Sequence, residues 1–428
     1  MRPLIKSKDL NRWFWRWHII AGLATLPIVF LLCVTGVIYL FKQDYIDWRY
    51  QSVLQLPAVT ISDETVSYQQ QLDRVLVASN QAVKQVYLPQ QPDQPLGFRL
   101  LEKGHARHMV YTNPYTGEIT GEIDQKDTLM YDIRKLHGEL LLHKPGTLTV
   151  ELVASWFVVL LITGMYVWWP ARRFSSAGFF TIRFNRGSRI LWRDLHVVFG
   201  FWMSVIMLII IAGAMPWTDV FGGGLKWVQK HTDSGYPTTW RRDSGLFSNT
   251  DNGLAFNKSP LTLDQMVEVA QQQGLAGKLV LTLPQKTDSV FTLRNRAFWL
   301  EDQQVIHFDQ YSGEIVKRHT WDDVGILMEL RQIFMRLHQG EYGRWNWWIV
   351  FIASALFALS TLAGLISYLK RKPEGRWGLP QVPESFRVGQ ILLLLIAGLA
   401  ILFPMFGLSC VLLISVSWLA QRASAGLA

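Results

Sequence analysis

Four of the chain's ten histidines occupy matched places in an internal repeat. His18 and His196 are each followed four residues later by a glycine, Gly22 and Gly200. His137 sits in Lys135-Leu136-His137-Gly138-Glu139, and His338 in Arg336-Leu337-His338-Gln339-Gly340-Glu341. A third correspondence links Asn113-Pro114-Tyr115-Thr116-Gly117-Glu118-Ile119 to Asp309-Gln310-Tyr311-Ser312-Gly313-Glu314-Ile315. Both stretches read as turns between strands, with glycine where the backbone needs freedom. The offsets run from 178 to 201 residues, as a duplicated unit requires. A pseudo-twofold along a membrane normal would set His18 against His196 and His137 against His338.

Two such imidazole couples suit haem b, whose iron takes axial histidines from facing helices. With both axial positions filled, the iron carries electrons and does not bind oxygen. Gly22 and Gly200, one turn from their histidines, would give the flat ring clearance. The sequence has no Cys-x-x-Cys-His, so covalent attachment is excluded. The competing reading is a histidine at a span end that bonds a carbonyl or water. A zinc or copper site would ask for three or four clustered ligands. His143, six residues beyond His137, lies about 120° away around a helix. It reads as interfacial, with ligation of the outer iron as its alternative. His105, His108, His231, His307 and His319 read as surface residues. Cys33 and Cys410 lie in apolar runs and read as packing residues. Two cysteines provide neither a disulfide framework nor a four-thiolate metal site.

The elements that must position these groups are membrane helices. Of 428 residues, 50% are hydrophobic and 18% charged, against about a quarter charged in a soluble domain. Charge-free apolar runs cover 19–41, 152–169, 195–217 and 345–369, each about long enough to cross a bilayer. A fifth, 388–420, is interrupted at Pro404 and Gly407 and reads as a hairpin of two short helices, with one long tilted helix as the alternative. The first run lacks a small-residue cleavage site and reads as a retained signal anchor.

Basic residues set the direction. The N-terminal arm, the loop after the second run, the loop after the fourth and the tail hold 17 Lys and Arg against four acids, Asp9, Asp194, Glu374 and Glu384. These segments read as cytoplasmic, and the rest of the chain is net negative. The overall charge of +9 is therefore positive-inside bias, and a nucleic-acid partner is excluded. Tryptophans at the run ends, among them Trp17, Trp168, Trp169 and Trp345, read as an aromatic belt.

The expected organisation follows. Residues 1–41 form a cytoplasmic arm and first span, and 42–146 a first small α+β domain outside. Residues 147–217 hold the second and third spans with their loop, 218–344 a second outer α+β domain, 345–370 the fourth span, and 371–428 a cytoplasmic loop and the terminal hairpin. In the second outer domain, Thr262 caps a helix, and 278–283, 289–294 and 304–309 read as strands.

Several motifs together resemble the PepSY-associated transmembrane family over essentially the whole chain. They are Arg16-Trp17-His18, Leu136-His137-Gly138-Glu139-Leu140-Leu141-Leu142, Gly164-Met165-Tyr166-Val167-Trp168-Trp169-Pro170, Arg193-Asp194-Leu195-His196, and Leu337-His338 followed by Gly343. The resemblance implies PepSY-like periplasmic domains on a multi-pass bacterial inner-membrane protein with a cytoplasmic N-terminus. In the siderophore-reductase branch it implies two haem b, held by His18, His196, His137 and His338, and reduction of ferric siderophores outside. His143 departs from the pattern, which has glycine there.

The expected function is a haem-dependent ferric-siderophore reductase, taking electrons from a quinol or a separate cytoplasmic reductase. The loops inside are too short for a dinucleotide or flavin domain. Trp217, Trp227 and Trp240 are candidate chelate contacts, and the negative outer charge is compatible with a cationic or neutral chelate. The alternative is a membrane-anchored PepSY module that inhibits or senses a periplasmic peptidase, since such domains resemble protease propeptides elsewhere. A transporter is disfavoured, because no charged residue interrupts the middle of the runs.

Overall fold

A computed structural model describes residues 8–58, 64–101, 108–170, 176–240, 245–248, 259–383 and 385–425. In chain order its helices are α1 (Lys8–Leu40), α2 (Lys42–Arg49), α3 (Gln51–Leu54), α4 (Tyr68–Ser79), α5 (Leu129–Glu139), α6 (His143–Trp168), α7 (Ser188–Ala214), α8 (Val220–His231), α9 (Leu263–Gln272), α10 (Ile326–Gln339), α11 (Arg344–Arg371), α12 (Gln390–Leu402) and α13 (Pro404–Ala425). The chain divides into two compact units. One comprises Met1–Leu40, Ile133–Val228 and Arg331–Ala428; the other comprises Phe41–Asp132 and Gln229–Leu330.

The first unit is a helical bundle. Among the described residues, five stretches are long and apolar enough to cross a membrane: α1, α6, Ser188–Trp217, α11 and Pro404–Arg422. The chain is a membrane protein. Four of these helices form a ring in which α1 and α7 each pack on both α6 and α11. Phe157 of α6 and Phe357 of α11 meet edge to face at 5.0 Å within it.

The terminal run is broken, but unequally. The break falls at Phe403, because Pro404 lacks an N–H and disfavours helical geometry in the residue before it. It leaves a 13-residue α12 and a 22-residue α13, so one of the two helices is not short. Gly407 allows close passage here, since a Cβ on it would lie 2.7 Å from the Ala400 carbonyl oxygen.

At the start of α6 the backbone turns through left-handed geometry at Leu140 (φ +50°), Leu141 (+58°) and His143 (+53°). The second copy makes its corresponding joint with Gly340 (+71°) and Gly343 (+82°). Beyond α7, the buried Glu151 accepts hydrogen bonds from the backbone N–H groups of Val220 (2.8 Å) and Phe221 (2.7 Å), capping α8.

The second unit corrects one expectation about the fold. The two α+β segments do not make two separate domains; their strands form a single antiparallel sheet of eight. The strands are β1 (Val83–Tyr87), β2 (Leu96–Leu100), β3 (His108–Thr112), β4 (Ile119–Asp124), β5 (Lys278–Thr282), β6 (Phe291–Arg296), β7 (Val305–Phe308) and β8 (Ile315–His319). Their order is β4-β3-β2-β1-β5-β6-β7-β8. The copies join where Val86 pairs with Leu281 and Gln85 with Thr282. Unjoined, each four-stranded sheet would present a bare edge of unpaired backbone groups.

One face of this sheet packs on α4 and α9. Val86, Phe98, Leu281, Leu293, Ile306 and Phe308 meet Val75 and Met266 there, all buried. The two helices cap each other. Asp264 of α9 accepts from Ser67 Oγ (2.6 Å), Tyr68 N (2.7 Å) and Gln69 N (3.1 Å), and Gln69 Oε1 accepts from Leu263 N (2.9 Å). Asn113 and Asp309 each accept from the backbone two residues on, closing turns completed by Gly117 (φ +70°) and Gly313 (φ +74°).

The other face overturns the reading of His307 and His319 as surface residues. Both are buried, with ring centroids 6.2 Å apart. His307 Nε2 donates to the Thr239 carbonyl (3.0 Å), and its Nδ1 accepts from Thr292 Oγ1 (2.9 Å). Strand alternation turns these residues inward, where the 234–240 segment covers them. Trp240 lies there too, buried against Tyr236 and Trp321 and so unavailable as an exposed chelate contact. Trp227 is exposed, and Trp217 lies under the Arg331 guanidinium at 4.2 Å. His108 sits 3.1 Å from Glu122, His231 is exposed, and His105 lies outside the described residues.

Candidate functional site

The bundle brings the four repeat-matched histidines together in two couples. His18 of α1 faces His196 of α7 with ring centroids 6.4 Å apart and planes at 56°. His137 of α5 faces His338 of α10 at 6.2 Å and 58°. Two metal–imidazole bonds of about 2 Å, plus roughly 1.2 Å from nitrogen to ring centre on each side, span ~6.4 Å. Each couple is therefore spaced to hold one metal ion between its rings.

Hydrogen bonding fixes which nitrogen is available. His196 Nδ1 is 2.9 Å from the Ser360 carbonyl oxygen, and His338 Nδ1 is 2.9 Å from that of Ile210. A carbonyl only accepts, so both Nδ1 atoms carry the proton. His18 Nδ1 is 3.1 Å from Thr163 Oγ1, whose own proton goes to the Val159 carbonyl at 2.8 Å. His137 Nδ1 is 2.9 Å from Thr35 Oγ1, whose proton goes to the Leu31 carbonyl at 2.7 Å. These hydroxyls must accept, so all four rings are Nδ1–H tautomers with a coordinating lone pair on Nε2. Partners of this kind orient metal-bound imidazoles and raise their basicity.

Three of the rings also lie against a glycine of a neighbouring span. A Cβ on Gly164 would stand 3.0 Å from His18 Cε1, and one on Gly364 would stand 2.8 Å from His196 Nδ1. Gly36 serves His137 in the same way, at 3.3 Å from Cε1, whereas Gly213 lets the α10 backbone at Phe334 and the His338 Cβ (2.8 Å) come close. Gly36, Gly213 and Gly364 and the acceptors Thr35, Thr163 and Ser360 were not singled out from the sequence, and Gly164 entered only as the first residue of a family motif. The available signal was a small or hydroxyl residue recurring in otherwise apolar runs.

His18 and His196 line a cavity of about 890 Å³ in the bundle. That lies within the ~300–1,000 Å³ of sites for cofactor-sized ligands. Gly22 and Gly200 line it as well. An added Cβ would come within 3.9 Å of Leu160 Cδ2 at Gly22 and 3.1 Å of Ser360 Oγ at Gly200. Its polar lining includes Arg186, Arg189, Arg193 and Arg371. Two lining atoms are buried without a hydrogen-bond partner among the described residues, Trp168 Nε1 and Asn11 Oδ1. Cations with an unspent N–H make a carboxylate-accepting end to an otherwise apolar pocket. Nearby, the buried Asp194 takes two hydrogen bonds from Arg183 (2.7 and 2.8 Å), tying the loop before α7 to that helix.

A family model, the PepSY-associated TM region, matches residues 15–371. The chain belongs to the PepSY-associated transmembrane family. The matched region takes in both histidine couples and both halves of the sheet. No curated protein matches the chain. Within this family member, His143 stands apart from the couples: its side chain is 85% exposed, with Nδ1 3.9 Å from Glu139. Its left-handed backbone gives a physical reason for the glycine expected at this position. Among the described residues, no three His, Cys, Asp or Glu side chains gather as a metal site, which leaves a clustered zinc or copper set without ligands.

Proposed function

We propose that this chain is a bacterial inner-membrane electron-transfer protein that carries two haem b and reduces a ferric siderophore or similar chelate outside. The observation that carries the reading is the pair of facing imidazole couples, spaced for one metal ion each and with every Nε2 left to coordinate. Haem b held by two imidazoles supplies one-electron carriage with no open position for substrate.

His18 and His196 would hold the inner group, and His137 and His338 the outer. The cavity supports this assignment: the arginines and Trp168 Nε1 suit carboxylate side groups, and Gly22 and Gly200 are among its lining residues. Seventeen residues of α1 separate His18 from Thr35, which holds His137. At 1.5 Å per residue the couples lie roughly 25 Å apart, close to the ~30 Å thickness of a bilayer core. The concentration of basic residues in the N-terminal arm and in the loops after the second and fourth runs supports a cytoplasmic side there, and the segments that carry the strands are read as periplasmic. A quinol or a separate reductase supplies the electrons. Iron leaves the chelate after reduction because Fe(II) is a weaker partner than Fe(III) for hard oxygen ligands.

The test is the visible spectrum of protein purified from haem-replete cells. Two haems per chain are expected, with a Soret band and a sharp α band on reduction. His196→Ala should lose one haem and keep the other. A colourless preparation would refute the proposal and favour the peptidase-sensing alternative, as would two haems surviving both His18→Ala and His196→Ala.

A further inference from the structure

The sheet unit carries a concentration of positive charge that its own folding does not explain. On the face turned away from α4 and α9, Lys278 of β5 and Arg296 of β6 pair directly across neighbouring strands. Like charges directly opposite each other weaken a sheet. Both reach the same aromatic ring: Lys278 Nζ lies 5.9 Å and Arg296 Cζ 5.6 Å from the centroid of Tyr87 on β1. Arg99 of β2 approaches from the other side of β1. Its Nη1 donates to Gln85 Oε1 at 3.2 Å, and Tyr87 Oη donates to the same oxygen at 3.2 Å. Arg99 Nε is buried with no hydrogen-bond partner among the described residues.

The compensating charge is small. The described residues of β1, β2, β5 and β6 on this face include no acid. From the helices, Asp47 of α2 acts on Lys278, against Arg296 and burial. Three cations therefore gather around a phenol, and of these Lys278 feels the Asp47 carboxylate. A repulsive pair held in place together with an unspent guanidinium N–H is the arrangement of an anion site, since guanidinium and ammonium groups bind oxyanions strongly.

We propose that this face binds a small oxyanionic ligand, namely an iron chelate whose periphery carries carboxylates, with Lys278, Arg296 and Arg99 as its cationic contacts and Tyr87 as its floor. That the ligand is a chelate rests on the reductase reading; that it is anionic rests on the cations. The net negative charge of the outer segments gives the opposite sign, but contacts within a few ångströms outweigh charges screened beyond about 8–10 Å in salt.

The test is calorimetric titration of the full chain in detergent with gallium(III) citrate and with a cationic gallium(III) trihydroxamate. Gallium reproduces the charge and shape of ferric complexes without being reduced. The citrate complex is expected to bind about tenfold tighter, with affinity falling as salt rises. Lys278→Gln and Arg296→Gln should each weaken citrate about fivefold and leave the trihydroxamate unchanged. Because each relieves the repulsive pair, both variants should melt at or above the parent temperature, which separates lost binding from misfolding. Equal affinity for the two complexes, or citrate binding untouched by both substitutions, would overturn the proposal. The visible spectrum of the same preparations keeps the two readings apart. Colourless protein that still selects citrate refutes the haem and supports this site, whereas two-haem protein without selectivity does the reverse.

Discussion

An imidazole can offer either nitrogen, and what the rest of the chain does with Nδ1 decides which one remains. Here two carbonyls and two threonine hydroxyls, each hydroxyl already donating to its own helix, take the Nδ1 proton. Thr163→Val keeps the volume near His18 and removes the acceptor. Loss of such a partner typically lowers metal-site affinity about 10–100-fold. Haem titration of the purified variant should therefore show one weakened site and one unaltered site; two unaltered sites would mean that Thr163 does not orient the ligand. His143 provides the contrast. It occupies a left-handed backbone position at a cost of about 1–2 kcal/mol for an L-residue. His143→Gly should raise thermal stability by about 1 kcal/mol and leave the haem spectrum unchanged. A shifted or halved Soret band would instead make His143 a ligand.

At the scale of elements, the sheet unit depends on the mutual capping of α4 and α9. Burial works to raise the Asp264 pKa, but hydrogen bonds from Ser67, Gln69 and Tyr68 outweigh it and hold the carboxyl below its ordinary value. A depressed folded pKa stabilises above the unfolded value of about 3.9, and this contribution is lost as pH falls through the folded one. Asp264→Ala should therefore cost about 1 kcal/mol near neutrality, with the gap to the parent narrowing below about pH 4. Melting curves across that range check it, and a constant gap would mean the cap is not acting as a charge. The same element shows what was legible. Thr262 before an amphipathic run, and glycine four residues after Asn113 and Asp309, are local signals, and the cap and turns stand where they point. The β1–β5 seam joins residues nearly 200 positions apart, and alternation within a strand does not specify its partner. For the same reason His307 and His319 looked like surface polar residues: their burial depends on a segment some 70 residues upstream. The histidine couples were legible because a duplication places like against like. Their glycine and hydroxyl supports were not, because they lie on neighbouring helices that only packing brings near.

At the scale of the whole molecule, duplication and charge together set a direction. Each copy contributes one histidine to each couple, so neither couple belongs to one half of the chain. A twofold along the membrane normal, as the repeat suggests, would distinguish the two membrane faces but not which of them is the inside. The proposed assignment rests on the sequence, where 17 basic residues fall in the N-terminal arm, the loops after the second and fourth runs and the tail, and such residues resist translocation. If electrons run outward, the turn at Ser312 must face the periplasm and the loop at Glu374 the cytoplasm. Both side chains are exposed, and the native thiols lie within apolar helices, Cys33 buried and Cys410 partly so. A membrane-impermeant maleimide should label Ser312→Cys in intact cells and Glu374→Cys only after lysis. The reverse pattern would put the sheet unit in the cytoplasm, where a chelate arriving from outside cannot reach it, and would remove the reductase reading even from a protein that carries both haems.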